Sequence, residues 1–348
     1  MRIAVYGAGG YQGKLIVAEL ARRGIDVVLA GRDRDRLREA AERAAPAGAE
    51  IRVAGLGDAE ALAAALRGCA AVINCAGPFT RSGAAVTSAA LTAGCSYVDT
   101  SGEQLHIKET FDRFAVEAEQ AGVSVVPAMT DGGVPGDLVA HLLAGRVGPL
   151  EEIVTAHRIV GGGGMSRGSL RSVLATLETL RSGGLGYEDG EWVPGAPARR
   201  TTMTFPGGAE RVPVVRFALQ EVVTVPRHVR VRRVEGVAEA ALGARLTSAI
   251  DPALVESLPE GPAEESRRTQ EFTIVVEAVG LDGRSARGVV SGPDTYGTTA
   301  VIAVEGARRL AAGGVRPGVL APAQAFDPAA FLGFLAPYGV RWSIAVHG

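Results

Sequence analysis

Short apolar runs alternate with amphipathic segments along the first 145 residues of the chain. Strand-like runs occupy residues 3–6, 26–30, 51–55, 70–75, 96–99 and 123–128. Between them, apolar residues recur at helical spacing, as in KLIVAELARRG from residue 14. The strands are apolar throughout, which is typical of strands covered on both faces. The pattern predicts an α/β fold with a doubly wound parallel sheet.

The pattern changes after about residue 150. EEIVTAHRIV (151–160) predicts a strand and SLRSVLATLETLRSG (169–183) a helix, while residues 269–292 predict a hairpin around Asp282-Gly283. We therefore expect two domains, 1–133 and 134–348, the second being α+β with an antiparallel or mixed sheet. A late helix at about 294–312 has the length to pack back on the first domain.

Composition narrows the class of protein. With 36 basic and 38 acidic residues in 348, the net charge of -2 gives no general attraction to nucleic acid or to an anionic membrane. Three cysteines without a C-x-x-C pair and five scattered histidines indicate neither a disulfide framework nor a metal site. The glycine-rich start is too short for a signal peptide, and no uncharged run approaches a span of about 20 residues. We expect a cytoplasmic protein with a small-molecule or carrier-bound partner.

A glycine-rich turn follows the first strand in VYGAGGYQGKL. Gly7, Gly10 and Gly13 lie where a strand passes into an amphipathic helix, at the start of a βαβ unit. Such a turn lets backbone N–H groups and the helix N-terminus approach a pyrophosphate. The alternative is a tight turn in a glycine-rich chain, but this context predicts dinucleotide binding, with Tyr11 and Gln12 beside it.

The tip of the second strand indicates which dinucleotide is bound. NAD-selective sites place an acidic residue there for the ribose 2′-hydroxyl, whereas this chain reads Ala30-Gly31-Arg32. A guanidinium suits a 2′-phosphate, so we predict NADP(H), bound by Arg32, Asp33 and Arg36. The alternative is that these residues only decorate the start of a solvated helix.

The loop after the fourth strand reads INCAGPF. Ligands of open α/β sheets lie outside the carboxyl ends of the strands, so this loop is expected against the nicotinamide half of the cofactor. An ordinary turn is the alternative. The residues predicted to line the cofactor here are Asn74, Cys75, Ala76, Gly77 and Pro78.

At this point the sequence resembles a known family. INCAGPFTRSGAAVTSAALTAGCSYVDTSGE (73–103) is similar to the saccharopine dehydrogenase-like NADP-binding domain. GGMSRGSLRS (163–172), EVVTVPR (221–227) and GPDTYGTTA (292–300) resemble the second domain of the branch that includes trans-acting enoyl reductases. The resemblance implies a Rossmann domain, an α+β second domain and hydride transfer to an enoyl C=C bond or a C–N system.

Two candidate catalytic groups lie after the fifth and sixth strands, and a third lies in the late helix. Glu103 and Asp131 are candidates for proton transfer, and Tyr296 for a place in the cleft. Structural alternatives are support of a helix start for Glu103, a domain hinge for Asp131 and an anchor of the late helix for Tyr296. The Tyr-x-x-x-Lys pair of short-chain dehydrogenases is absent, since no tyrosine has lysine four residues later.

Substrate contacts are expected from Phe79, Asp99, Ser166 and Arg167. Asp99 has the alternative of bonding backbone in a turn, and Ser166 that of capping a helix. His106 is expected on a helix surface, with the alternative that it reaches the same cleft as Glu103.

The sequence favours an NADPH-dependent reductase of an activated C=C or C=N bond in a biosynthetic intermediate. Two alternatives stay open: a saccharopine-type amine or amino-acid dehydrogenase, and a non-catalytic protein that senses NADP. An open sheet edge in the second domain would suit a homodimer.

Overall fold

Two sheets organise the molecule. The computed structural model describes residues 1–46, 48–195, 198–208, 210–248 and 251–347. The strands are β1 (Arg2–Tyr6), β2 (Asp26–Gly31), β3 (Glu50–Val53), β4 (Ala71–Asn74), β5 (Ser96–Asp99), β6 (Ser124–Val126), β7 (Leu150–Val160), β8 (Leu185–Glu188), β9 (Glu191–Pro194), β10 (Thr202–Thr204), β11 (Arg211–Arg216), β12 (Val231–Glu239), β13 (Glu271–Gly280), β14 (Ser285–Pro293), β15 (Gly318–Val319) and β16 (Arg341–His347).

Helices cover both sheets. They are α1 (Tyr11–Arg22), α2 (Arg34–Ala44), α3 (Ala59–Leu66), α4 (Phe79–Ala93), α5 (Gln104–Ala121), α6 (Val134–Val147), α7 (Arg167–Ala175), α8 (Leu177–Arg181), α9 (Glu221–Thr224), α10 (Ala240–Thr247), α11 (Pro252–Ser257), α12 (Glu264–Arg268), α13 (Thr295–Ala311), α14 (Pro322–Ala325) and α15 (Pro328–Leu335). None of the helices in the described ranges is both long and apolar enough to cross a membrane.

The first sheet has the order β15-β6-β5-β4-β1-β2-β3, and all its pairs are parallel. Along β1, Ile3 and Val5 enter the apolar layer on one face, and Ala4 and Tyr6 enter the layer on the other. Burial on both faces explains the unbroken apolar runs in the sequence. The parallel doubly wound sheet confirms the predicted fold of the first domain.

The second sheet is mixed, as predicted. Its order is β10-β11-β12-β7-β13-β14-β16, with β8 paired to β12 and β9 to β8; β12 and β7 are parallel and the other pairs antiparallel. The predicted hairpin is β13 and β14, with Gly283 in the turn at φ +85°. The helix predicted over 169–183 differs, because it breaks at Thr176 into α7 and α8.

Two late elements return to the first sheet. Helix α13 packs against α1, β4 and β5, and β15 adds a parallel strand beside β6. Helix α6, which begins at Val134, instead packs on β13 and β14 of the second sheet. The parallel first sheet and the mixed second sheet therefore lie on either side of one cleft.

Candidate functional site

The glycine turn between β1 and α1 is closely packed. Gly7 has φ +86° and donates its N–H to Ala30 O at 2.9 Å. A Cβ on Gly13 would lie 2.3 Å from Gly7 O, so only glycine allows this crossing of strand and helix. No side chain of the described residues caps Gly10, the N-cap of α1. The helix N-terminus is therefore open to a phosphate group.

Three predicted phosphate-site residues follow β2, and their surroundings differ. Arg32 is exposed, lines the cleft and has no hydrogen bond or ion pair within the described ranges. Asp33 caps α2 by accepting from the N–H groups of Asp35 and Arg36, both at 3.1 Å. The Arg36 guanidinium pairs with Glu260 at 2.5 Å. Of these three side chains, only Arg32 is unengaged in the described chain.

A cavity of about 1140 Å³ extends from this turn into the second domain. Its volume exceeds that of a typical small-ligand pocket, so it has room for a dinucleotide and a second molecule. The lining includes the predicted residues Gly7, Gly10, Tyr11, Gln12, Arg32, Asp33, Arg36, Cys75, Ala76, Gly77, Pro78, Phe79, Glu103, Asp131, Ser166, Arg167 and Tyr296. Three other predicted residues do not line the cavity, namely Gly13, Asn74 and Asp99.

The loop after β4 is held from inside the domain. Buried Asn74 accepts from Ala76 N–H at 3.1 Å and donates to the Tyr97 hydroxyl at 3.1 Å. Asn74 therefore shapes the loop from beneath, while residues 75–79 face the cavity. Burial raises the pKa of the Cys75 thiol, which keeps it protonated and unreactive.

Glu103 supports the same loop. Its Oε1 accepts from Phe79 N–H at 2.8 Å and its Oε2 from Thr80 N–H at 2.7 Å, at the start of α4. A carboxylate at a helix N-terminus is stabilised by the helix dipole and by these free N–H groups. Although Glu103 lines the cavity, both of its oxygens are engaged, so the geometry favours a supporting role.

Asp99 lies inside the first domain, which differs from its expected place in the substrate site. It has no exposed surface and accepts hydrogen bonds from Tyr97, His106 and the N–H groups of Ser101 and Ala128, at 2.9 to 3.1 Å. His106 is likewise buried and not on the helix surface as expected. Burial works against its charged form, but the hydrogen bond and charge of Asp99 raise the pKa of His106.

Three predicted residues connect the two domains. The Tyr11 hydroxyl donates to Pro262 O at 2.6 Å, and Gln12 Nε2 donates to Tyr296 O at 3.1 Å. The Tyr296 hydroxyl accepts from Ser166 N–H at 2.7 Å. These side chains border the cavity while holding its walls together.

The arginines near the glycine loop 161–164 are engaged by Glu256. Ser166 caps α7 by accepting from Ser169 N–H at 3.1 Å. Arg167 donates to Glu256 O at 3.3 Å, and Arg171 pairs with the Glu256 carboxylate at 2.5 Å. The capping alternative for Ser166 therefore describes this loop.

Asp131 lies in the cavity wall after β6. Its carboxylate accepts a hydrogen bond from the Thr299 hydroxyl at 2.8 Å. The backbone N–H of Asp131 donates to the oxygen of that hydroxyl at 3.0 Å. Burial raises the pKa of Asp131 to about 6, against the opposing effects of Thr299 and His157. The carboxyl group can therefore exchange a proton near neutral pH.

His157 and Glu221 were missed by the sequence reasoning. His157, on β7, lines the cavity, and its Nε2 lies 2.7 Å from Oε1 of fully buried Glu221. Two other histidine–carboxylate pairs, His106 with Asp99 and His228 with Asp137, do not border the cavity. The one available signal was Glu221 at the head of the EVVTVPR segment.

Comparison with known proteins agrees with this geometry. Residues 3–126 match the family model of the saccharopine dehydrogenase NADP binding domain. A putative trans-acting enoyl reductase of Mycobacterium tuberculosis is 33% identical over 186 residues, covering 51% of this chain and 44% of the relative. A lipid droplet localized protein of Caenorhabditis elegans is 32% identical over 151 residues, covering 40% and 35%. The matched part thus spans less than half the length of these relatives.

The whole chain shares the fold of a solved structure. Apo saccharopine dehydrogenase (L-Glu forming) of Saccharomyces cerevisiae aligns over 100% of both chains with a TM-score of 0.65 at 13% identity. The family-model match over residues 3–126 confirms the resemblance seen in the sequence and agrees with NADP(H) as the predicted cofactor.

Proposed function

We propose that the protein is an NADPH-dependent oxidoreductase that reduces an activated C=C or C=N bond of a biosynthetic intermediate. The observation that carries the proposal is one continuous cavity that joins the glycine turn and Arg32, which has no partner among the described residues, to a wall of the second domain. A nucleotide sensor has no need of such a second wall. The enoyl reductase named among the relatives supports reduction of C=C as the first candidate.

The cofactor would supply the hydride, and this chain would hold it in place. The open N-terminus of α1 would bind the pyrophosphate, Arg32 would bind the 2′-phosphate, and residues 75–79 would contact the nicotinamide half. Asn74 and Glu103 keep that loop in its conformation through four hydrogen bonds.

The proton would come from His157. Hydride addition to one atom of a polarised double bond leaves an electron pair on its neighbour, and that atom must take a proton. With Nε2 held by Glu221, the Nδ1 of His157 is the ring nitrogen left for substrate. Glu221 would stabilise the charged ring until the proton is given up.

The amine dehydrogenase alternative stays open, although three arginines of the second domain are engaged by carboxylates or backbone. It needs arginines for an amino-acid carboxylate, but Arg158 pairs with Glu239 at 3.2 Å, and both Arg167 and Arg171 bond Glu256. Arg81 and Arg245 line the cavity without a partner in the described ranges. They suit an acidic group on a small or carrier-bound substrate.

Titration with NADPH and NADH tests the cofactor half of the proposal. Arg32→Ala should remove about 1.4 kcal/mol or more of a preference for NADPH, a tenfold change in relative affinity. Arg34→Ala, an exposed neighbour on α2, is the matched control and should change it little. Equal binding of both cofactors to the unaltered protein would contradict the site.

Turnover tests the reductase half. We expect NADPH oxidation with a short enoyl thioester, and His157→Gln should lower kcat more than tenfold while leaving NADPH affinity within twofold. Glu221→Gln should lower kcat as well, because the His157 ring would lose the carboxylate that orients it. If NADPH binds but neither an enoyl thioester nor a cyclic imine is reduced, the sensor alternative is favoured.

We also propose that β16 is the contact in a homodimer. Among described residues no strand covers its outer edge, and Trp342 and Val346 are 37% and 48% exposed on the same face. Antiparallel pairing of two β16 strands centred on Ile344 would set Trp342 of each copy beside Val346 of the other.

A further inference from the structure

A short segment of the second domain lies across the cofactor turn. This strap, Leu258–Pro262, follows α11 and contacts α1 of the first domain. The Tyr11 ring is so close to Gly261 that a Cβ there would lie 2.4 Å from it, and the Tyr11 hydroxyl donates to Pro262 O. Arg167 N–H donates to Glu260 O at 3.0 Å. The strap is thus held to α7 at the Glu260 carbonyl and to α1 at the two residues that follow.

The Glu260 side chain bridges two cations of the first domain. Its Oε1 lies 2.5 Å from Arg36 Nη2, and its Oε2 lies 2.8 Å from Lys14 Nζ. Lys14 is 15% exposed and Glu260 26%, so water screens the contact only in part. A second-domain carboxylate therefore holds two positive charges beside the glycine turn.

These cations stand where a cofactor phosphate is expected. A Cβ on Gly9 of the turn would lie 2.9 Å from Arg36 Cβ, and Arg32 precedes the same helix without a partner in the described chain. Arginine binds carboxylate and phosphate with the same fork of N–H donors. If the Glu260 carboxylate and a phosphate bound Arg36 at the same time, their negative charges would be close enough to repel each other strongly.

We propose that Glu260 occupies the phosphate-binding cations of the empty protein, and that the 2′-phosphate of NADP(H) displaces it. Arg36 then exchanges a carboxylate for a phosphate, and the strap loses its ion pair with α2 while Tyr11 still holds it to α1. Glu260 thereby sets the affinity for phosphorylated nucleotides and couples their binding to the second domain. This inference depends on the cofactor and not on the reaction catalysed.

Two adenine nucleotides that differ only in the 2′-phosphate isolate the effect. Calorimetric titration with 2′,5′-ADP and with 5′-AMP should be made on the unaltered protein, Glu260→Gln and Glu39→Gln. Glu39 also contacts Lys14, at 3.4 Å, but from α2 of the first domain, so it is the matched control. We expect Glu260→Gln to bind 2′,5′-ADP about tenfold tighter, with 5′-AMP and the Glu39 variant changed less than twofold.

Hydrogen exchange of the strap amides gives a second readout. The strap has amides at Leu258, Glu260 and Gly261, because residues 259 and 262 are prolines. Exchange at these three amides should rise when 2′,5′-ADP is added to the unaltered protein and should not rise with 5′-AMP. Unchanged or weaker binding of 2′,5′-ADP by a folded Glu260→Gln variant would overturn the proposal, as would slower exchange in the strap. Failure of the unaltered protein to bind either nucleotide would instead remove the cofactor site itself, and this inference with it.

Discussion

Glu103 accepts a hydrogen bond from the N–H of Phe79 at 2.8 Å and so fixes the start of helix α4 beneath the cofactor loop. Replacing this carboxylate should therefore affect folding before chemistry. We expect Glu103→Gln to lower the free energy of unfolding by about 1–3 kcal/mol, because the amide group would face an N–H donor. Urea denaturation measures the change.

Exposed Glu109→Gln, one turn or so further along α5, is the control and should be near neutral. A Glu103 variant of normal stability that has lost only turnover would instead support the catalytic role expected from the sequence.

Asp99 is the most heavily bonded carboxylate in the first domain's interior. Asp99→Asn removes the charge opposite His106 and replaces an acceptor by a donor, so we expect a loss of about 3 kcal/mol or more. Thermal and urea unfolding check this, with surface Asp112→Asn as the comparison. A substrate-binding role would give a stable variant with a raised KM, contrary to the structure.

Asp131 should make stability depend on pH. Its pKa is raised from 3.8 to about 6 in the folded protein, so folding favours the protonated form. That contribution is present below the unfolded pKa and is lost as the pH rises through about 6. Asp131→Asn keeps an acceptor for Thr299 without the charge.

We therefore expect the asparagine variant to gain about 1 kcal/mol relative to the unaltered protein between pH 5 and pH 7.5. Urea unfolding at both pH values measures the difference, and exposed Asp35→Asn serves as the control. A difference that does not vary with pH would show that the Asp131 pKa is ordinary.

Gly13 should tolerate no side chain. In Gly13→Ala the new Cβ would meet the backbone of Gly7 and Ala8 at 2.3 and 2.8 Å, so strand and helix must move apart. We expect a lower Tm and NADPH binding weakened more than tenfold. Gly57→Ala, where nothing lies within 4 Å, should be neutral in both measurements.

The proposed dimer predicts a particle of twice 35.8 kDa by light scattering. Val346→Lys should shift the protein toward monomer, because two charges would enter the paired edge. Val116→Lys, at a more exposed valine on α5, should leave the mass unchanged. A monomer at all concentrations would contradict the β16 contact.

The glycine turn and the individual strands of both sheets were predictable because each depends on a short stretch of chain. A close approach of backbone segments is indicated by Gly7, Gly10 and Gly13. The hairpin at Asp282-Gly283 depends only on its own turn residues. Local patterns fix these features whatever the rest of the molecule does.

The proposed proton donor, His157, and the strap could not be predicted from local sequence patterns. His157 and Glu221 are 64 residues apart, and their contact depends on where α9 meets the second sheet. Glu260 and Arg36 are separated by 224 residues and belong to different domains. The expected position of Asp99 in the substrate site was wrong for a related reason, since the inward direction of its side chain depends on the assembled sheet.

The order of the strands also bears on how far the cleft can open. The main chain passes from one sheet to the other three times, between β6 and β7, between β14 and β15, and between β15 and β16. Separating the two halves therefore requires dihedral changes in three segments together. We expect rotations of small amplitude, in which the halves slide and tilt, and not the wide swing that a single connecting peptide permits.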